Sequence, residues 1–381
     1  TCESRCPSKA ISHETNYVVD PERCNRCMKC VRPCPTGAVD HWFVVERAYS
    51  VQDQLAWTRL PPVTPQDRAP PDAFDVEALG LLGKAHQSLG DIAKAPQSAS
   101  TPQVNVFTRE NPARAVVTGN LRITKEGSGS DAHHIILDFG ALRFPYLEGQ
   151  SVGVVPPGLD RNGNPHAMRI YSIASARDGE RPNTNNLGLA VKRIAGLDER
   201  DGEKSGVASN WLCDLKLGDE IDVIGPFGST FLMPEDTAAD LLMICTGTGA
   251  SPFRGFSHRR RRTAPNATGR MFLFYGARTP DELPFFGPLQ GWAQSELHRE
   301  LVFSRGAGSE KEYVQDRLRR CSAEIGELLR KATTHIYVCG LRGLEDGVDA
   351  SLTEIARDHG IDWTALRANL SRNGQFHVEV Y

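Results

Sequence analysis

The chain has 381 residues, 40% hydrophobic and 24% charged, enough for two or three domains of about 100–200 residues and too apolar for wholesale disorder. A formal net charge of −3 argues against a dedicated nucleic-acid binder. The longest apolar runs, such as 241–245, fall far short of the roughly 20 residues of a membrane span. No basic-then-apolar leader opens the sequence, so neither membrane nor nucleic acid is expected as a partner, and a cytoplasmic location is expected.

The cysteines come first in chain order. Ten are present, and six fall within the first 34 residues. Cys24-x2-Cys27-x2-Cys30-x3-Cys34-Pro35 has the spacing that holds cubane iron–sulfur clusters, because three thiolates of one loop surround one cluster and the fourth serves another. Zinc would favour separated cysteine pairs, and a disulfide framework suits a much smaller chain. The opening Cys2-x3-Cys6-Pro7 reads as the back half of a second such run, with two more cysteines expected just before Thr1. Cys6 is then expected to complete the cluster of Cys24, Cys27 and Cys30. Cys34 is expected to join Cys2 on a second 4Fe-4S cluster that lacks two ligands here. Residues 16–19 and 38–45 fit short strands of an α+β ferredoxin-like domain spanning 1–47.

Residues 48–103 read as a Pro/Ala/Ser-rich linker, with a docking segment as the alternative, and a modest helix is expected over 76–89. From 104 to 237 short apolar runs at 115–118, 134–138, 151–155, 169–173, 187–193 and 220–224 predict an antiparallel β-barrel. From 238 to 381 the rhythm changes. Apolar strands at 241–245, 271–275, 301–304 and 335–339, separated by helical stretches, predict an α/β domain with a parallel sheet.

Specific motifs lie on this frame. Arg169-Ile170-Tyr171-Ser172 is similar to the Arg-x-Tyr-Ser flavin motif of plant-type ferredoxin–NADP reductases. The similarity continues through Glu148-Gly149-Gln150-Ser151, Gly206-Val207-Ala208-Ser209-Asn210 and Gly225-Pro226-Phe227-Gly228. It extends to Thr246-Gly247-Thr248-Gly249-Ala250-Ser251-Pro252-Phe253-Arg254, Cys339-Gly340-Leu341 and the terminal His377-Val378-Glu379-Val380-Tyr381. This resemblance makes 104–237 the FAD-binding domain and 238–381 the NADP-binding domain.

It also implies roles. Tyr171 lies against one flavin face, and Ser172 serves flavin N5 or hydride transfer. Arg169, a permanently charged fork, suits the FAD pyrophosphate, as do Ser209 and the amides around Gly206 and Val207 at a helix start. Gly247, Thr248 and Gly249 let the backbone approach a nicotinamide dinucleotide. Cys245 stands where the family usually has Gly, which tightens the approach to this turn. Ser304, Arg305, Lys311, Tyr313 and Gln315 match the positions that grip a 2′-phosphate and stack the adenine, and Lys192 a further phosphate contact, so NADPH is expected over NADH. Cys339 and Glu379 stand beside the nicotinamide, and Tyr381 covers the flavin's other face.

The run His258 and Arg259 to Arg262 is expected as a solvated helix end, with a docking patch for an acidic partner as the alternative. The scattered histidines share no ligand spacing.

A nicotinamide delivers two electrons together and an iron–sulfur cluster passes them singly, so a flavin between them converts one currency to the other. A two-cluster ferredoxin ahead of a plant-type reductase resembles the reductase components of bacterial benzoyl-CoA 2,3-epoxidase systems. That resemblance implies transfer from NADPH through FAD and 4Fe-4S clusters to a separate di-iron oxygenase component. Another electron acceptor, or a redox-sensing binding protein, are the alternatives.

Overall fold

The computed structural model describes residues 2–24, 30, 49–58, 94–160, 163–194, 206–285, 291–306 and 311–381. The expected strand at 38–45 and helix at 76–89 lie outside these residues, as do Cys27 and Cys34. The N-terminal part begins with helix α1 (Cys2–Arg5) and an antiparallel pair, β1 (Ile11–His13) and β2 (Tyr17–Val19). Helix α2 (Val51–Ala56) falls inside the stretch read as linker. Its Ser50–Asp53 capping box satisfies the first-turn amides from both sides. Gln54 then clasps Val19, donating from Nε2 to its carbonyl at 2.7 Å and accepting from its amide at 2.9 Å.

The expected six strands of the middle region all form: β3 (Ala113–Arg122), β4 (Ala132–Asp138), β5 (Ser151–Val154), β6 (Arg169–Ser172), β7 (Asn186–Lys192) and β8 (Glu220–Phe227). They pair in the order β6-β5-β8-β3-β4-β7. Just beyond β6, Ile173 bridges Leu189 of β7 and Ala174 N–H donates to the Gly188 carbonyl at 2.7 Å, which closes the sheet into a barrel. In β3 buried and exposed positions alternate from Ala113 to Val117, the mark of a strand with one face on a core and the other in water. Helix α3 (Val207–Asp214) packs against the barrel through Leu212 and Cys213.

The second domain holds a five-stranded parallel sheet. Its strands are β9 (Asp240–Thr246), β10 (Met271–Ala277), β11 (His298–Phe303), β12 (Thr334–Gly340) and β13 (Phe376–Val380). β9 is buried from Asp240 through Cys245, because helices or the barrel cover both faces of a parallel sheet. Helices α4 (Ser251–Thr263), α5 (Val314–Arg320), α6 (Ser322–Arg330), α7 (Leu344–Asp358) and α8 (Trp363–Arg372) make the connections. The sheet order is β11-β10-β9-β12-β13. The chain therefore moves outward from β9 in one direction, then returns to β12 and moves outward in the other. That reversal leaves a crevice at the carboxyl ends of β9 and β12, where open α/β sheets bind ligands.

Residues 95–103 run along both domains. The Ser98 carbonyl and hydroxyl accept from the amides of Glu235 and Asp236. Ser100 Oγ donates to Glu235 Oε1 at 2.7 Å, and Gln150 Nε2 donates to the Gln103 carbonyl at 3.0 Å. Among the described residues, no helix is long and apolar enough to cross a membrane.

Candidate active site

The crevice is where the two domains meet side chain to side chain. Ser172, the last residue of β6, donates from Oγ to Oε1 of Glu379 on β13 at 2.9 Å. Cys339 is in register with Glu379 on one side and Cys245 on the other, and Tyr275 follows in the same row. In-register residues of neighbouring strands share a face, so this row floors the crevice. Both thiols are fully buried, and burial pushes them well above the ordinary range, with Glu379 adding to the effect at Cys339. Both thiols of the floor are therefore neutral. Glu379 Oε2 and Thr246 Oγ1 are buried without a partner, and orphaned buried polar atoms at such a place call for an explanation such as a ligand.

The turn Gly247–Ala250 follows β9 directly and leads into α4, with Pro252 in its first turn. A Cβ on Gly249 would stand 2.3 Å from the Cys339 carbonyl oxygen, so only glycine lets the turn lie this close to β12. Tyr275 Oη braces the turn by donating to the Gly247 carbonyl at 2.9 Å. Tyr381 is 47% exposed, its hydroxyl 3.1 Å from Thr248 Oγ1 and its amide donating to the Gly340 carbonyl at 3.0 Å. Tyr381 is thus held at both its amide and its hydroxyl, and burial raises that hydroxyl above the ordinary range.

On the barrel side, Tyr171 packs against the core, and burial raises its hydroxyl above the ordinary range. Arg169 is exposed, two residues earlier on the same strand, its Nη1 donating to the Met168 carbonyl at 3.0 Å. Gly206 takes φ +100° to start α3, a backbone that favours glycine. Ser209 is buried, with Oγ donating to the Gly206 carbonyl at 3.0 Å and accepting from the Ile194 amide at 3.3 Å. Lys192 stands exposed at the end of β7.

Ser304 and Arg305 follow β11, their amides donating to the carbonyls of Ala277 and Arg278. Lys311 and Tyr313 are exposed just before α5, with Lys311 Nζ 4.9 Å from the Tyr313 ring centroid. The Gln315 side chain lies against Gly347 of α7. This end of the domain offers two cations, Arg305 and Lys311, and an exposed ring.

The basic run on α4 is not a solvated helix end. Arg260 is buried and donates to backbone carbonyls of Thr237 and Ala239. Arg261 pairs with Glu296 at 3.1 Å and lies 4.6 Å from the Trp292 ring centroid. Arg262 reaches the barrel, donating to Asp178 Oδ1 at 2.8 Å and to the carbonyls of Gly179 and Glu180 at 2.7 Å. His258, half-buried beside Arg254 and Arg262, is pushed down to about 4 by burial first and then by those cations, so it is neutral. Charge density along the sequence does not reveal what faces it, and here carbonyls, carboxylates and rings do.

Among the described cysteines of the N-terminal part, Cys6 accepts from the Ala10 amide at 3.2 Å and lies 3.5 Å from Ser8 Oγ. Burial opposes ionisation of this thiol, but those donors and the amides of Ile11 and Ser8 outweigh it and lower its titration. A thiolate supported by N–H donors fits an iron–sulfur ligand. The helix–strand unit of Cys2–Arg5, Ile11–His13 and Tyr17–Val19 leads to Cys24, whose amide donates to the Asp20 carbonyl at 3.0 Å. Among the described residues, no three metal-binding side chains gather.

A barrel carrying the Tyr171–Ser172 strand, set against a parallel sheet with a glycine turn at its reversal point, defines a two-domain pyridine-nucleotide oxidoreductase. Residues 243–350 match the oxidoreductase NAD-binding domain and residues 17–40 the 4Fe-4S binding domain. The cyanelle ferredoxin–NADP reductase of Cyanophora paradoxa is 38% identical over 290 residues, 73% of this chain and 79% of its own. Leaf isozyme 1 of Arabidopsis thaliana is 37% identical over 287 residues, again 73% and 79%. The ferredoxin–NADP+ reductase structure from Plasmodium falciparum shares the fold, with a TM-score of 0.58 at 24% identity, over 74% of this chain and all of its own. The chain belongs to the ferredoxin–NADP reductase family and carries a 4Fe-4S motif ahead of the reductase unit.

FAD and NADP are the cofactors of this domain pair, and the N-terminal motif is of the 4Fe-4S type. The residues present fit the two organic groups: buried, unpartnered Glu379 Oε2 and Thr246 Oγ1, the glycine turn lying close on β12 at Gly249, and the half-exposed Tyr381 beside it. Sequence reading missed Thr246 as a site residue and the contacts that join the domains. Thr246 opens the Thr246–Arg254 motif, but no sequence signal shows that its hydroxyl is left unsatisfied.

Proposed function

We propose that this protein is an NADPH-dependent reductase component that draws electrons from NADPH and delivers them, by way of its own cluster domain, to a separate di-iron oxygenase component that epoxidises benzoyl-CoA. The observation that carries the reductase reading is the Ser172–Glu379 hydrogen bond across the crevice, with Cys339 in register beside it. Bound FAD supplies a carrier that accepts a hydride and releases electrons one at a time. Tyr171, Arg169, Lys192, Gly206, Val207 and Ser209 are the residues proposed to hold it. Ser172 and Glu379 orient the reacting ends and keep a proton-bearing hydroxyl at the reaction point. Neutral Cys339 shapes the floor without adding charge. Tyr381 occupies the nicotinamide place between turnovers. Arg305 and Lys311, with Ser304, Tyr313 and Gln315, are proposed to select the 2′-phosphate of NADPH by charge-assisted bonds.

Cys2, Cys6, Cys24, Cys27, Cys30 and Cys34 are the proposed cluster ligands. Tethering the cluster domain to the reductase makes its encounter intramolecular, so effective concentration replaces collision. The epoxidase partner rests on this order of domains. Anaerobic mixing with NADPH, followed by a purified di-iron component, benzoyl-CoA and oxygen, tests the whole path. Epoxide formation coupled to NADPH consumption is expected. Reduction by NADPH with no transfer to that component would overturn the partner and leave the reductase reading standing. No reduction by NADPH would overturn both.

A further inference from the structure

Helix α4 touches the reductase machinery at both ends of the problem. It leaves the dinucleotide turn Gly247–Ala250 directly, and it lies along residues 174–180, which leave β6 just after Ser172. The contact is intimate: a Cβ on Gly255 would stand 2.9 Å from the Ser175 carbonyl oxygen. One turn into this helix, Arg254 is 8% exposed. Its Nη1 donates to the Ala174 carbonyl and to Glu180 Oε1, and its Nη2 to Glu180 Oε2, all at 2.8 Å. Glu180 Oε1 also meets His134 Nε2 at 3.2 Å, and the guanidinium lies 5.2 Å from the Phe285 ring centroid. Gly188 leaves the room for this cluster, since a Cβ there would come within 2.4 Å of both His134 Nε2 and Glu180 Oε1.

We propose that Arg254 is a positioning residue for hydride transfer: through one planar group it fixes the dinucleotide turn to the backbone two residues beyond Ser172, and so sets the Ser172–Glu379 geometry between domains. The argument is mechanical. Ala174 is tied on its other side to β7 through its amide, so the strand bearing Tyr171 and Ser172 has its exit fixed at one residue from two directions. A fork is required because one cation must satisfy a bidentate carboxylate and a carbonyl together, which an ammonium point charge does not do. Arg254 touches neither reacting group, so its effect belongs to orientation, where a displacement of about 1 Å can cost about 100-fold in rate.

The inference rests on the reductase reading, and the test separates the two. The full holoprotein and its Arg254→Gln, Arg254→Lys and Glu180→Gln variants are mixed anaerobically with NADPH, and the first-turnover rate of flavin reduction is followed against NADPH concentration. Protiated NADPH is compared with NADPH deuterated at the transferred position. The limiting rate is expected to fall about 10- to 100-fold in all three, with NADPH affinity within about threefold of native and an altered isotope effect. Limiting rates within about twofold of native overturn the proposal. So does a loss confined to affinity, and so does full rescue by Arg254→Lys, which would make charge alone sufficient. Should Arg254→Gln fail to fold, Arg254→Lys carries the same comparison, because it keeps the charge and loses the fork that spans Glu180 and the Ala174 carbonyl. A native protein that NADPH does not reduce would overturn the functional reading and this inference together.

Discussion

Acid should loosen the two domains at Glu180. Its side chain is 12% exposed, and it meets both Nη atoms of Arg254 and the ring of His134. Burial alone would raise its titration, but the hydrogen bond to His134, the Arg254 charge and the bond to Arg254 outweigh it and take it from 4.5 to about 2. A carboxylate depressed in the folded state stabilises above its unfolded value, and that stability disappears as pH falls through the folded value. At about 1.4 kcal/mol per tenfold change, the contribution is about 3 kcal/mol above pH 5, of which about 2 is gone by pH 3.

Glu180→Gln removes the titrating group and leaves Arg254 without its counter-charge, which costs about 3–5 kcal/mol at neutral pH. Equilibrium urea unfolding of both proteins from pH 6 to pH 3 measures the difference, and carboxylates common to the two cancel. The native protein should start more stable, and its advantage should shrink by about 2 kcal/mol over that range. An advantage that stays constant with pH would refute the assignment of the acid-sensitive bond to Glu180.

Removing Tyr381 should tighten nicotinamide binding and reduce the preference for NADPH over NADH, read from NADP+ and NAD+ titrations and from the ratio of kcat/KM values; an unchanged ratio would deny the residue its covering role. Gly249→Ala should abolish most NADPH-dependent turnover, because the new methyl would lie 2.3 Å from the Cys339 oxygen and push the turn from the crevice. Artificial reduction of the bound flavin by dithionite should survive that change. Gly374→Ala should free residues 95–103 from the reductase: Gly374 has φ +66°, and its Cβ would stand 2.1 Å from the Ala95 oxygen. Limited proteolysis should then cut within 95–103 faster than in the native protein.

The strands were legible where short apolar runs met turn residues, and all six of the barrel expectations fall on observed strands. β11 begins three residues before the expected run because His298, Arg299 and Glu300 extend the edge of the sheet with only partial burial, and charged residues mask such an edge. The Ser50–Asp53 box of α2 was readable as a helix start, yet it sat in a proline- and serine-rich stretch that suggested linker. The motifs placed the crevice residues in order, but their partners were hidden. His134, Glu180 and Arg254 are separated by long stretches of chain, and only the barrel's closure and the path of α4 bring them together. The same holds for Arg262, whose carbonyl partners carry no sequence signal at all.

The crevice floor has an electrostatic logic of its own. Hydride transfer moves a pair of electrons across a gap, so an anion fixed beneath the donor would alter its energy at short range and low dielectric. Two adjacent thiols at Cys245 and Cys339 would be a hazard if either ionised near neutral pH. Full burial keeps both protonated, and Glu379 beside Cys339 pushes in the same direction. Beside them, Glu379 accepts the Ser172 hydroxyl at one oxygen, and its other oxygen is buried without a partner. The two domains therefore meet at a polar pair to which each contributes one side chain. Domain docking and the satisfaction of Glu379 are one arrangement, because a shift of β6 relative to β13 would break its bond to Ser172 and leave a buried side chain without a partner.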